Sequence, residues 1–267
     1  RHQTFKTLKR TKEQRLWTSL LNGCEDALFT APSYTDMEGA AGTKPYSLPT
    51  FINDHDGLVP VGWGTSNTIQ NVAPATESKW ANQTVEFADT AVGLFNAFDT
   101  MWMDVRFVPP PSHQEYFENP QMNAMFIACS KKGQAYYVKH LRASQDTFVT
   151  GSRQDPSYMK PQYAGIDLEY VSELANVAVY GINTAGSTGT ETASVSSSIL
   201  GPRYYFVNAN YLKFVYHTSR YMHSHPSMRH PNQPFTTVKP VDSWYNFICR
   251  SRQRQGLVEP SANSTGF

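Results

Sequence analysis

Apolar side chains recur at steps of three and four through residues 11–32. Leu16, Trp17, Leu20, Leu21, Cys24 and Leu28 fall on one stripe, and Gln14, Ser19 and Asn22 fall elsewhere. The spacing predicts a helix of roughly twenty residues, on the order of 30 Å long, stopped by Pro32. The same period returns over 84–103, where Phe87, Ala91, Leu94, Phe95, Phe98 and Trp102 share a stripe ahead of Arg106, Phe107, Val108 and the stop at Pro109-Pro110-Pro111. Between the two, residues 33–84 carry Gly and Pro at short intervals and no period. They read as a long extended excursion pinned by Tyr46, Phe51, Trp63 and Trp80.

Met125 to Cys129 is a short apolar run suited to a strand. Ser130 can cap a helix that continues through Tyr136, Tyr137, His140 and Leu141. A further strand is expected over 166–174, and residues 181–198, mostly Gly, Ser and Thr with the single charge Glu191, read as a loop. The last quarter is strand-like. Residues 203–207 lead through Asn208-Ala209-Asn210 into 211–217, and 243–250 is expected to pair with 255–259 across a turn at 251–254. Helices on antiparallel strands place the chain in the α+β class, with no internal repeat.

Net charge over the 267 residues is +1, but it is unevenly spread. Residues 1–15 carry six basic side chains against Glu13, and residues 25–104 carry eleven acids against Lys44 and Lys79. This polarisation argues against a dedicated nucleic-acid binder, which concentrates Lys and Arg without such an acidic counterpart. On the first helix, Lys9, Arg10, Lys12 and Arg15 crowd the start, and Glu25 and Asp26 lie near the end. Both clusters oppose the helix dipole by a few tenths of a kcal/mol each. A rod basic at one end and acidic at the other suits contacts between copies of one chain. Cys24, Cys129 and Cys249 form no CxxC pair and read as core thiols in a reducing compartment. No apolar run approaches the ~18 residues of a membrane helix and no charged-then-apolar leader opens the chain, so a soluble protein without a membrane partner is expected. The chain starts at Arg1 rather than Met, as a processed product or a fragment would.

Few residues in the chain carry a recognisable chemical motif. Gly62-Trp63-Gly64-Thr65-Ser66-Asn67 lacks the third glycine of a dinucleotide fingerprint, Gly42-Thr43-Lys44-Pro45 lacks the upstream glycine of a phosphate loop, and no Gly-x-Ser-x-Gly elbow occurs. Asn53-Asp54-His55-Asp56-Gly57 lacks further ligands at EF-hand spacing and reads as a polar turn. Glu25 and Asp26 are adjacent on a helix and point about 100° apart, a poor geometry for paired acid/base work. His217, His223, His225 and His230 offer a His-x-His spacing, but no Asp or Glu lies between Glu191 and Asp242. Arg250, Arg252 and Arg254 alternate on the expected hairpin and would project from one face toward the acidic surface of a neighbour. No catalytic residue, metal or cofactor is therefore expected. Two other classes stand beside that reading: a metal-dependent enzyme using the histidines from 217 to 230, and a single-stranded nucleic-acid binder stacking bases on Tyr and Phe.

Tyr205-Phe206-Val207-Asn208-Ala209-Asn210-Tyr211-Leu212, followed by Trp244-Tyr245-Asn246-Phe247-Ile248-Cys249-Arg250 and its continuation to Val258, resembles the closing strands of major capsid proteins of tailed bacteriophages. Lys12-Glu13-Gln14-Arg15-Leu16 through Asn22-Gly23 to Glu25-Asp26-Ala27-Leu28 is similar to the spine helix of the same family. The resemblance implies a Hong Kong 97-like capsid fold: a long spine helix packed on an antiparallel sheet in a peripheral subdomain, and a mixed α/β axial subdomain. It would place the spine helix and an extended segment in 1–84, mainly axial structure in 85–202, and closing peripheral strands in 203–267, with 181–198 as an axial loop. The family's N-terminal arm and extended loop precede the spine helix, and only about ten residues do so here. The implied function is structural, a subunit self-assembling as hexamers and pentamers into an icosahedral head that encloses double-stranded DNA. Scaffold, portal and decoration proteins are implied as partners, the packaged DNA as a non-specific contact, and the virion as location. Lys9, Arg10, Lys12, Arg15, Glu25, Asp26, Arg250, Arg252 and Arg254 are the expected intersubunit contacts.

Overall fold

A computed structural model describes residues 2–30, 44–53, 68–74, 76–88, 90–105, 125–145, 161–172, 174, 202–230 and 232–261. Among them lie helices α1 (His2–Phe29), α2 (Leu48–Phe51), α3 (Ala91–Val105) and α4 (Lys131–Gln145). The strands are β1 (Gln83–Phe87), β2 (Met125–Cys129), β3 (Gln162–Tyr163), β4 (Ile166–Tyr170), β5 (Tyr204–Asn208), β6 (Leu212–Tyr216), β7 (His223–Ser224), β8 (Met228–His230), β9 (Gln233–Val238), β10 (Val241–Asp242), β11 (Tyr245–Cys249) and β12 (Gly256–Pro260). The α+β class is observed.

Six strands form one mixed sheet in the order β1-β12-β5-β2-β4-β3. Its centre is β5, antiparallel to both β12 and β2. Every residue of β5 is buried, because both faces of the sheet are covered, and the alternation of a strand sends successive side chains to opposite cores. Tyr204 and Phe206 enter one core with Ile127, Cys129 and Val258. Tyr205 and Val207 enter the other with Ala128, Leu257 and Phe51.

The first core is roofed by α3 and α4. Of the stripe expected over 84–103, Leu94 and Phe98 are buried and Ala91, Phe95 and Trp102 half-buried, and the buried face is completed by Ala97, Met101 and Val105, which the periodic reading did not place on it. Residues 84–87, expected to be helical, belong instead to the edge strand β1, parallel to β12 from Gln83↔Gly256 to Phe87↔Pro260. Thr84, Val85 and Phe87 suit a strand, and Thr90 starts the helix by accepting from the Gly93 N–H at 3.0 Å. At Gly256 an added Cβ would overlap Met101 and Val105, so only glycine lets β12 pass beneath α3. Phe98 is the hub of this core. Its ring stacks on Tyr137 at 5.6 Å and meets Tyr163, Tyr204 and Phe206 edge-on at 5.2, 4.8 and 5.2 Å.

The strand, cap and helix expected at 125–145 are all present, and Ser130 Oγ accepts from the Gly133 N–H at 3.2 Å. The strand expected over 166–174 ends at Tyr170, and the edge hairpin β3–β4 turns through Ala164 and Gly165, both at positive φ.

The second core holds a short buried segment, residues 47–53 around α2. Of the four expected pins, Phe51 is fully buried, Tyr46 packs on it at 5.5 Å, and Trp80 Nε1 donates to the Ile69 carbonyl at 3.1 Å. Trp63, the loop at 181–198, Pro32, Pro109 to Pro111, the glycine motif at 62–67 and Asp54 to Gly57 lie outside the described residues. Strands from both sides of position 202 share the six-stranded sheet.

Between β5 and β12 the chain makes a nested excursion of three two-stranded ribbons, β6–β11, β7–β10 and β8–β9, each antiparallel. The expected pairing of 243–250 with 255–259 is therefore corrected. Segment 245–249 pairs with β6, from Tyr245↔Tyr216 to Cys249↔Leu212, and 256–260 enters the sheet between β1 and β5. A tight local hairpin would leave Leu257 and Val258 on a two-stranded ribbon, whereas between β1 and β5 each reaches a core.

Candidate functional site

Helix α1 has 28 residues, about 42 Å of rod. It begins well before residue 11 and ends at Phe29, the one buried side chain among its residues 9–29. The half-buried stripe is Glu13, Trp17, Leu20, Cys24 and Leu28, while Leu16 and Leu21, expected on it, are exposed at its margins. The earlier start changes the dipole argument for the basic cluster. Lys9 lies two turns inside the helix and Arg15 near its middle, beyond the first turn where the dipole acts. Glu25 and Asp26 stay near the C-terminal end, where the dipole disfavours them.

Two ties hold α1 along the ribbon excursion. Lys239 Nζ reaches Glu13 Oε1 at 3.3 Å. Burial, and then a hydrogen bond with the Cys24 thiol, push the Tyr245 phenol upward from its ordinary range. These ties are eleven residues apart on α1, about 16 Å, and join it to the ribbon excursion at Lys239 and Tyr245.

The base of the excursion carries an aromatic cluster that the sequence reading did not single out. Phe214 packs against Tyr216, Tyr221, Tyr245 and Phe247, with centroids 5.2–5.9 Å apart. The signal was present as aromatic residues two apart at 214 and 216 and again at 245 and 247, which only the β6–β11 register places on one face. Much of this ribbon stays in contact with solvent: Phe214, Val215, Tyr216, Trp244 and Ile248 are all exposed. Arg220 lies over the Trp244 ring at 4.5 Å.

The expected contact residues separate into two groups. Lys9, Arg10, Lys12, Arg15, Glu25, Asp26 and Arg250 are exposed. Arg252 is corrected: it is fully buried within the chain itself. The alternation assumed for Arg250, Arg252 and Arg254 fails because Arg252–Arg254 is a 3-10 turn, not a strand. Arg252 Nε donates to the Phe51 carbonyl at 2.9 Å, Nη1 to the Trp80 carbonyl at 2.8 Å and Nη2 to Asn82 Oδ1 at 3.1 Å. Burial pulls its pKa down to about 10. Arg254 is half-buried and donates to the Asp104 carbonyl at 3.1 Å.

Among the described side chains, His217, His223 and His225 do not form a common centre, and the His230 side chain lies outside the described set. His223 and His225 stack with centroids 4.8 Å apart, and His225 Nε2 lies 2.6 Å from Asp242 Oδ2 across β7–β10. That hydrogen bond holds the Asp242 carboxyl below its ordinary range. His217 sits apart from this pair, bonded to Ser219 Oγ at 3.1 Å and edge-on to Trp244. Among the described residues no group of three or more His, Cys, Asp or Glu is arranged to hold a metal ion. No helix among them is long and apolar enough to cross a membrane. Cys129 and Cys249 are buried thiols that burial pushes up to about 12. No family model and no curated protein matches the chain.

Proposed function

We propose that this chain is a structural shell subunit, a major capsid protein of the tailed-bacteriophage kind with a Hong Kong 97-like fold, acting by ordered self-association. One observation carries the reading: a long helix and a two-stranded ribbon, tied together at Glu13–Lys239 and Cys24–Tyr245, both keep large apolar or charged side chains exposed. A ribbon of two strands is marginal alone, and α1 covers it only in part. Phe214 and Tyr216 on one face of the ribbon, and Val215 and Ile248 on the other, leave apolar surface exposed on both sides, and exposed apolar surface is a mark of interaction sites. Closed symmetric assembly multiplies modest edges of this kind into a stable shell.

In this reading α1, the ribbons and the closing strands β5 and β12 belong to the peripheral part, and α3, β2, α4, β3 and β4 to the axial part, the two meeting in the six-stranded sheet. The partners are other copies, grouped as hexamers and pentamers, with scaffold, portal and decoration proteins acting on the same shell. A net charge of +1 suits an inner surface that holds packaged DNA only loosely. The location is the virion, after assembly in the host cytoplasm.

Light scattering and electron microscopy of the purified chain test this directly. Capsomers or shells far larger than the 30.1 kDa subunit are the expected result. A strictly monomeric protein at high concentration and moderate salt would overturn it.

A further inference from the structure

Lys12, Arg15, Ser19, Asn22 and Asp26 follow one another on α1 at steps of three, four, three and four, and all five are exposed. At about 100° per residue they fall within one outward strip roughly 80° wide, on the side of the helix away from the half-buried Trp17 and Cys24. The strip begins basic, is small and uncharged at its middle, and ends acidic, with Glu25 beside Asp26. Among the described residues no ion pair engages Lys9, Arg10, Lys12, Arg15, Glu25 or Asp26, whereas Glu13, on the inner side, is taken by Lys239.

We propose that this strip is a two-fold docking edge whose occupant is the same strip of a second copy of this chain, running antiparallel. The inference rests on the shell-subunit reading and names one edge of it. Charge complementarity selects the arrangement. With a two-fold axis near Ser19 and Asn22, Lys12 and Arg15 of each copy lie opposite Asp26 of the other, with Glu25 on the flank of the strip. The contact is isologous, so every favourable pair is made twice. A parallel pairing would set like charges against like. A head-to-tail contact would satisfy only one cluster per copy at each junction and leave the chain open. Ser19 and Asn22 have short side chains, and Gly23 beside them has nothing within 4 Å of an added Cβ, so the two backbones can approach at the axis.

Two single-sign variants of the full chain test the pairing by sedimentation velocity and microscopy. Lys12→Glu with Arg15→Glu leaves an acidic strip; Glu25→Lys with Asp26→Lys leaves a basic one. Each alone is expected to assemble on the order of tenfold more weakly than the unmodified chain, and an equimolar mixture is expected to recover assembly, with raised salt diminishing the recovery. A second measurement leaves the charges intact. In a Cys24→Ser background, Ser19→Cys is expected to give a covalent dimer with a short bifunctional maleimide. Arg10→Cys gives none, because antiparallel copies hold that position on the order of 30 Å apart. Normal assembly by both single-sign variants, or cross-linking at Arg10→Cys, overturns the helix pairing and leaves the shell reading standing. An unmodified chain that never associates removes both.

Discussion

Arg252 donates from Nε to the backbone carbonyl of Phe51 at 2.9 Å, across 201 positions of sequence. The same guanidinium reaches the Trp80 carbonyl and Asn82 Oδ1, so one side chain fastens the buried segment at 47–53, the turn before β1 and the turn before β12. Asn82 completes the junction by donating from Nδ2 to the Asn53 carbonyl at 2.9 Å and accepting from the Asn53 N–H at 3.2 Å.

Arg252→Met is expected to lower unfolding free energy by about 3 kcal/mol or more, because buried acceptors lose their donor without access to water. Arg252→Lys keeps the charge but not the three-way fork, so it recovers only part of that loss. Urea midpoints at constant m-value measure both. Equal stability of Arg252→Met and the unmodified chain would contradict the assignment.

Gly256→Ala is expected to destabilise by about 1–3 kcal/mol, since the new methyl meets Met101 and Val105 in a closed core. Pairing it with Met101→Ala frees the space and is expected to show a favourable coupling in a double-mutant cycle. The thermal midpoints of the two single variants and the double variant report it.

Thiol labelling should divide the three cysteines. Cys129 and Cys249 are buried, with thiols pushed up to about 12, and Cys24 is half-buried where α1 meets the ribbon. A disulfide reagent at mildly alkaline pH is expected to modify Cys24 in the native protein and the other two only after unfolding. Cys24→Ser should abolish native labelling while leaving the unfolded count at two.

Alkaline stability follows from the buried phenols. Burial raises Tyr137 from its ordinary value of 10.0 to about 12, and raises Tyr204 further. A group whose folded pKa lies above its unfolded one contributes stability that is complete below the unfolded value and is lost as pH rises through the folded value. Unfolding free energy is therefore expected to fall above about pH 10. Near-ultraviolet absorbance should show these phenols ionising only as the chain opens. Tyr137→Phe, which also removes the bond to the Gln162 carbonyl, should reduce that pH sensitivity. An unchanged alkaline slope would count against the burial of this phenol.

The sequence by itself determined the α+β class, the strand, cap and helix at 125–145, the existence of α1 and the apolar stripe of α3. Each is written in a local period or cap read over a few turns. Only the tertiary structure decided that β12 lies between β1 and β5, that residues 83–87 are a strand, and that β11 turns to β6. Partner choice depends on which distant surfaces bury both faces of a strand, and no local period records that. For the same reason the charged strip of α1 was legible and the junction at Arg252 was not. An exposed side chain needs only its place on a helix, whereas an arginine inside a core is explained by the carbonyls of Phe51 and Trp80 that the fold brings to it.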